Sequence, residues 1–68
     1  MNAPESLRKI IKKRLGGNVA AAAAEIGVPQ SALHYWLKGA SRPRSRGREA
    51  IERWTQGKVP ASAWDSAA

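Results

Sequence analysis

The chain has no cysteine and a single histidine, so neither a disulfide framework nor a Cys/His zinc site can hold it together. Long hydrophobic runs are also missing. Val19–Ala24 is the longest apolar stretch and is mostly alanine, far short of the roughly 18–20 apolar residues of a membrane-spanning helix. Basic residues precede that stretch, but Gly16, Gly17 and Glu25 frame too weak an apolar region for a signal peptide. With 68 residues, a chain buries only about 60% of its extended surface, so efficient helix packing, helped by dimerisation, is the remaining route to stability. These absences point to a soluble protein of the cytoplasm.

Acidic residues are scarce as well. Five Asp/Glu stand against twelve Lys/Arg, giving a net charge of +7 and a pI near 11.0. Such a field favours a polyanionic partner, nucleic acid first and an anionic membrane surface second. No Ser/His/Asp set, phosphate-cradling glycine loop or paired carboxylate site can be assembled, so the sequence predicts neither an enzyme nor a bound cofactor or metal.

What is present is helical pattern. Leu7, Ile10, Ile11 and Leu15 recur at helical spacing, predicting a first helix over Pro4–Leu15 ended by Gly16-Gly17. Asn18 is a suitable N-cap for a second helix over Val19–Ile26, whose alanines combine high helix propensity with small size. After Gly27 and Val28, Pro29 can open a third helix that runs to about Lys38. Ser41–Gly47 reads as a loop by composition, followed by a fourth helix from Arg48 to about Gln56 with Gly57 beyond it. Its inward residues would be Ala50, Ile51 and Trp54. Ser62–Trp64 allows one more turn, and residues 65–68 read as a frayed, flexible tail. No period-2 alternation occurs, so the expected class is all-α, a single domain over residues 1–68.

Two short helices joined by a tight turn at Gly27 are the pattern's centre, spanning about residues 19–38. Ala23 would lie where they cross, and Ala22, Ile26, Val28, Leu33 and Trp36 would hold the second helix in place, with Leu37 on the flank. That orientation turns Gln30, Ser31, His34, Tyr35 and Lys38 outward, the arrangement of a helix docked in the DNA major groove. Gln30 can pair with adenine N6 and N7, and Ser31 can bond several bases. His34 can donate to a guanine or a phosphate; Tyr35 can touch a thymine methyl or bond a phosphate.

Gly16-Gly17, Glu25-Ile26-Gly27-Val28, and Gln30-Ser31-Ala32-Leu33 with Trp36 resemble the lambda-repressor-like Cro/CI helix-turn-helix superfamily, most of all the all-helical phage Cro proteins and YdaS-like regulators. Ile51-Glu52-Arg53-Trp54 followed by Gly57 is similar to the fourth helix of the latter. The resemblance implies a compact domain of four to five helices that binds a pseudo-palindromic operator in double-stranded DNA, usually as a homodimer and usually to repress transcription. It implies base contacts at Gln30, Ser31, His34 and Tyr35, and a phosphate contact at Asn18 or Val19. Many relatives carry glutamine there; here the Asn18 amide or the helix N-terminal N–H groups would substitute.

Arg42, Arg44, Arg46 and Arg48 alternate through the loop region. They are either a phosphate-gripping arm or a solvated linker; the expected phosphate contacts are Asn18, Lys38, Arg42, Arg44 and Arg46. Trp64 can cap the core or join a dimer interface. A phage or prophage repressor acting on nucleoid DNA is thus the expectation. The rivals are an antitoxin-type regulator that also binds a partner protein, and a cationic peptide acting on RNA or membranes.

Overall fold

The computed structural model describes residues 2–65. Four α-helices follow in order, α1 Ala3–Leu15, α2 Val19–Ile26, α3 Gln30–Lys38 and α4 Ser45–Trp54, with a final 3₁₀ turn at Ala61–Trp64. No strand is present among the described residues. The expected all-α architecture is therefore what the chain adopts, with a Cα radius of gyration of 10.4 Å. Residues 66–68 of the expected tail lie outside the described residues.

Local chemistry explains the first two helices. The Asn2 side chain accepts from the Glu5 N–H at 2.9 Å, capping α1 one residue earlier than Pro4 alone suggests. The Asn18 side chain caps α2 in the same way, accepting from the Ala21 N–H at 3.0 Å. At the other end of α2, Gly27 has φ of 90°, a left-handed conformation that a side chain would strain. It lets the N–H groups of both Gly27 and Val28 close on the Ala23 carbonyl, at 2.8 and 3.0 Å. Pro29 then sits in an extended conformation at the N-cap of α3 and not inside its first turn. A cap residue is non-helical, and a proline there withholds no N–H from the helix.

The core runs through all the elements. Leu7 and Ile11 of α1, Ala22, Ala23 and Ile26 of α2, Leu33 and Leu37 of α3, and Ile51 of α4 are buried, joined by Ala3, Val59 and Trp64. α3 packs on both α1 and α2, while α4 lies against α2 and the 3₁₀ turn. Leu37, expected on the flank, is a core residue, and Trp36, expected to be fully inward, is only half-buried. The two are adjacent on α3, and α1 takes up the leucine side. Trp64 is 2% exposed, so of its two readings the core one holds in this chain.

The fourth helix departs most from expectation. It starts at Ser45 and not Arg48, so the loop ends at Arg44, and it stops at Trp54 and not Gln56. Ser-Arg-Pro-Arg-Ser-Arg-Gly reads as loop because its proline and glycine resemble turn residues, yet both have packing roles. Pro43 is fully buried, and Gly47 is helical. A Cβ on Gly47 would lie 3.0 Å from both Trp36 Cη2 and Pro43 Cβ, so the half-buried indole rests where only glycine leaves room. At the far end, the buried Thr55 hydroxyl donates to the Ile51 carbonyl at 2.8 Å and accepts from the Val59 N–H at 3.1 Å. Glu52 Oε1 accepts from the Ala61 N–H at 2.8 Å. These bonds turn the chain back, with Gln56 and Gly57 at positive φ, and deliver Val59 and Trp64 to the core.

Candidate nucleic-acid interface

Leu33 and Leu37 of α3 face inward and Ala32 and Trp36 are half-buried, which leaves the other five positions turned to solvent. Gln30, Ser31, His34, Tyr35 and Lys38 are all exposed, and Tyr35, at 53%, is the one large hydrophobic side chain exposed among the described residues. The His34 and Tyr35 rings meet edge to face with centroids 6.1 Å apart. With Val19 from the start of α2, Gln30, Ser31, His34 and Tyr35 line a shallow groove of about 470 Å³. The four residues expected to contact bases are thus brought together on one face. The Asn18 oxygen is occupied by its capping bond, which leaves the amide nitrogen as that side chain's available donor.

The arginines divide. Arg42 and Arg44, in the connection after α3, and Arg46, in the first turn of α4, are exposed. They line a second concavity of about 420 Å³ together with Val28, Pro29 and Trp36. Arg48 is different. Its Nε donates to the Pro43 carbonyl and its Nη1 to Asp65 Oδ1, both at 2.8 Å, so it ties the loop and the chain end to α4. Asp65 is accordingly held, although the sequence assigns it to a frayed end. Arg14 is engaged too: its guanidinium lies over the Trp54 ring, 4.9 Å from the centroid, and Nη1 donates to the Trp54 carbonyl at 2.6 Å. The Trp54 indole N–H donates to Glu25 at 3.0 Å. Trp54 is half-buried and joins α1, α2 and α4, a wider role than the core position its spacing suggests.

Charge placement follows. No acidic residue occurs between Glu25 and Glu49, whereas that span carries Lys38, Arg42, Arg44, Arg46 and Arg48. Three carboxylates are taken up internally, Glu25 by Trp54, Glu52 by Ala61 and Asp65 by Arg48. Neither the groove on α3 nor the arginine concavity has an acidic residue in its lining, although Glu49 is exposed on α4 one turn after Arg46. Among the described residues no cluster of His, Asp or Glu is placed to hold a metal, and no helix is long and apolar enough to cross a membrane.

No protein-family model, curated protein or solved structure matches this chain.

Two basic residues of α1 that the sequence pattern ties to no contact also lie near α3. Arg8 and Lys12, one helical turn apart on α1, border a hollow against α3 that also takes in His34 and Lys38. Their i, i+4 spacing was a readable sign of a shared face, but which element would oppose that face was not.

Proposed function

We propose that this chain is a sequence-specific double-stranded DNA-binding regulator of transcription, with α2 and α3 as a lambda-repressor-like helix-turn-helix. In this reading α3 enters the major groove. Gln30 and Ser31, at its N-terminal end, read base edges, and His34 and Tyr35 add contacts to bases or phosphates. Lys38, Arg42, Arg44 and Arg46 grip the backbone, joined by the Asn18 amide nitrogen. Two copies bound to a pseudo-palindromic operator would make it a Cro-like repressor.

The observation that carries the reading is the exposed groove on α3 lined by Gln30, Ser31, His34 and Tyr35, together with a separate concavity of Arg42, Arg44 and Arg46, neither of which has an acidic residue in its lining. A helix so exposed along one side, and anchored by Leu33 and Leu37 on the other, is rigid enough to present side chains in a fixed order. The net charge supplies sequence-independent affinity through counterion release, while the α3 side chains supply discrimination.

Selection of bound duplexes from a random pool tests this. The expected result is an enriched consensus with two inverted half-sites, whose centres lie about one helical turn, 10–10.5 base pairs, apart or a multiple of it. Recovery of duplexes without a consensus would contradict sequence-specific recognition.

A further inference from the structure

We infer that the hollow between α1 and α3 is a second seat for the DNA sugar-phosphate backbone, with Lys12 as a phosphate contact; this rests on the DNA-binding reading of α3. The hollow has a volume of about 390 Å³. Its floor is apolar, built from Ile11, Val19 and Leu37, and its rim is cationic, with Arg8 and Lys12 from α1 and Lys38 from α3. No acidic residue lines it. An apolar floor beneath a ring of cations matches a deoxyribose carrying a phosphate better than it matches a bare ion, because the sugar face can cover the aliphatic carbons.

Location decides which ligand of that chemistry is in reach. Val19 and His34 line both this hollow and the groove of Gln30, Ser31 and Tyr35, so the two are continuous along α3. A strand edge bordering the major groove would pass from one into the other. By contrast, the concavity of Arg42, Arg44 and Arg46 shares no lining residue with the hollow, so the two basic regions are separate grips.

The rim is also partly fixed in advance. Arg8 Nη2 donates to the Leu37 carbonyl at 2.8 Å, which holds the guanidinium at the edge of α3 with further N–H donors unspent. Glu5, one turn earlier on α1, shares an adjoining hollow with Arg8 and tempers its charge. Lys38 also lines that adjoining hollow whereas Lys12 does not, so Lys12 is the cleaner reporter. Gly16 and Gly17 line the mouth without side chains and leave it open.

The test compares Lys12→Gln with Lys13→Gln, an exposed neighbour that does not line the hollow. Binding of the full chain to its selected duplex and to a random duplex is measured across a salt series, with circular dichroism checking that the helices remain. Lys12→Gln is expected to make the plot of log affinity against log salt shallower by about 0.9 on both duplexes, the contribution of one phosphate contact. The Lys12→Gln/Lys38→Gln pair should make it shallower by about 1.8. A Lys12→Gln slope equal to that of Lys13→Gln overturns the second seat. If Gln30→Ala still separates selected from random duplex in the same series, that outcome leaves the reading of α3 standing. If Gln30→Ala weakens both equally, the base-reading role of α3 falls, and the Lys12→Gln slope still decides the seat as a phosphate contact.

Discussion

Arg14 and Arg48 on one side, and Arg42, Arg44 and Arg46 on the other, are the same residue type put to opposite uses. The first two are consumed by the fold: Arg14 by the Trp54 ring and carbonyl, Arg48 by the Pro43 carbonyl and Asp65. The other three project from the connection after α3 and the first turn of α4, with no acidic residue between Glu25 and Glu49 to quench them. A net charge of +7 is therefore not one uniform coat. Part of it joins helices, and part is left exposed in the connection between α3 and α4 and the first turn of α4. Composition registers the sum, whereas the fold determines the division.

The division can be broken experimentally, and the largest effect is expected at the exposed set. Replacing Arg42, Arg44 and Arg46 together with glutamine should make the salt dependence of duplex binding shallower by about 2.7, the sum for three phosphate contacts. Thermal denaturation should barely move, because all three residues are exposed and border only a surface concavity. A large drop in melting temperature with unchanged salt dependence would reverse the assignment.

Arg48→Gln should behave in the opposite way. It removes a charged hydrogen bond to a backbone carbonyl and a salt bridge whose carboxylate is 64% exposed, so most of the loss comes from the Pro43 bond. A cost of about 1–2 kcal/mol is expected, or roughly 5–15 °C in melting temperature for a chain of this size, with the salt dependence of DNA binding retained. Arg14→Gln should be milder, about 0.5–1 kcal/mol, because its contact with Trp54 is on the surface. A change in the salt slope for either variant would place that arginine among the DNA contacts.

How far these roles can be read from sequence depends on the range of the interactions. α2 runs over the expected residues, Val19–Ile26, because both its ends are set by neighbours: Asn18 caps one end and Gly27 closes the other. The outward grouping of Gln30, Ser31, His34 and Tyr35 was legible for a similar reason, since helical spacing alone puts them together once Leu33 is inward. The start of α4 was not legible. It depends on Pro43 being buried and on Trp36 lying over Gly47, contacts between residues whose local signals say turn. The commitment of Arg48 depends on Asp65, seventeen residues away, and the hollow at Lys12 depends on which face of α3 meets α1. Trp36 and Leu37 exchanged their expected depths because a period of 3.6 residues does not say which of two adjacent apolar residues meets a neighbouring helix.

The claim that α3 reads bases has its most direct test in Gln30→Ala. Gln30 is exposed and is not among the core residues, so truncation should leave the fold intact. Affinities of the wild-type and variant chains are compared on the selected duplex and on a random duplex at one salt concentration. Loss of a bidentate base contact, worth about 1–3 kcal/mol, predicts a roughly 5- to 150-fold weakening on the selected duplex, with random-duplex binding nearly unchanged. Equal weakening on both would show that Gln30 only adds to general affinity, contradicting the role assigned to α3.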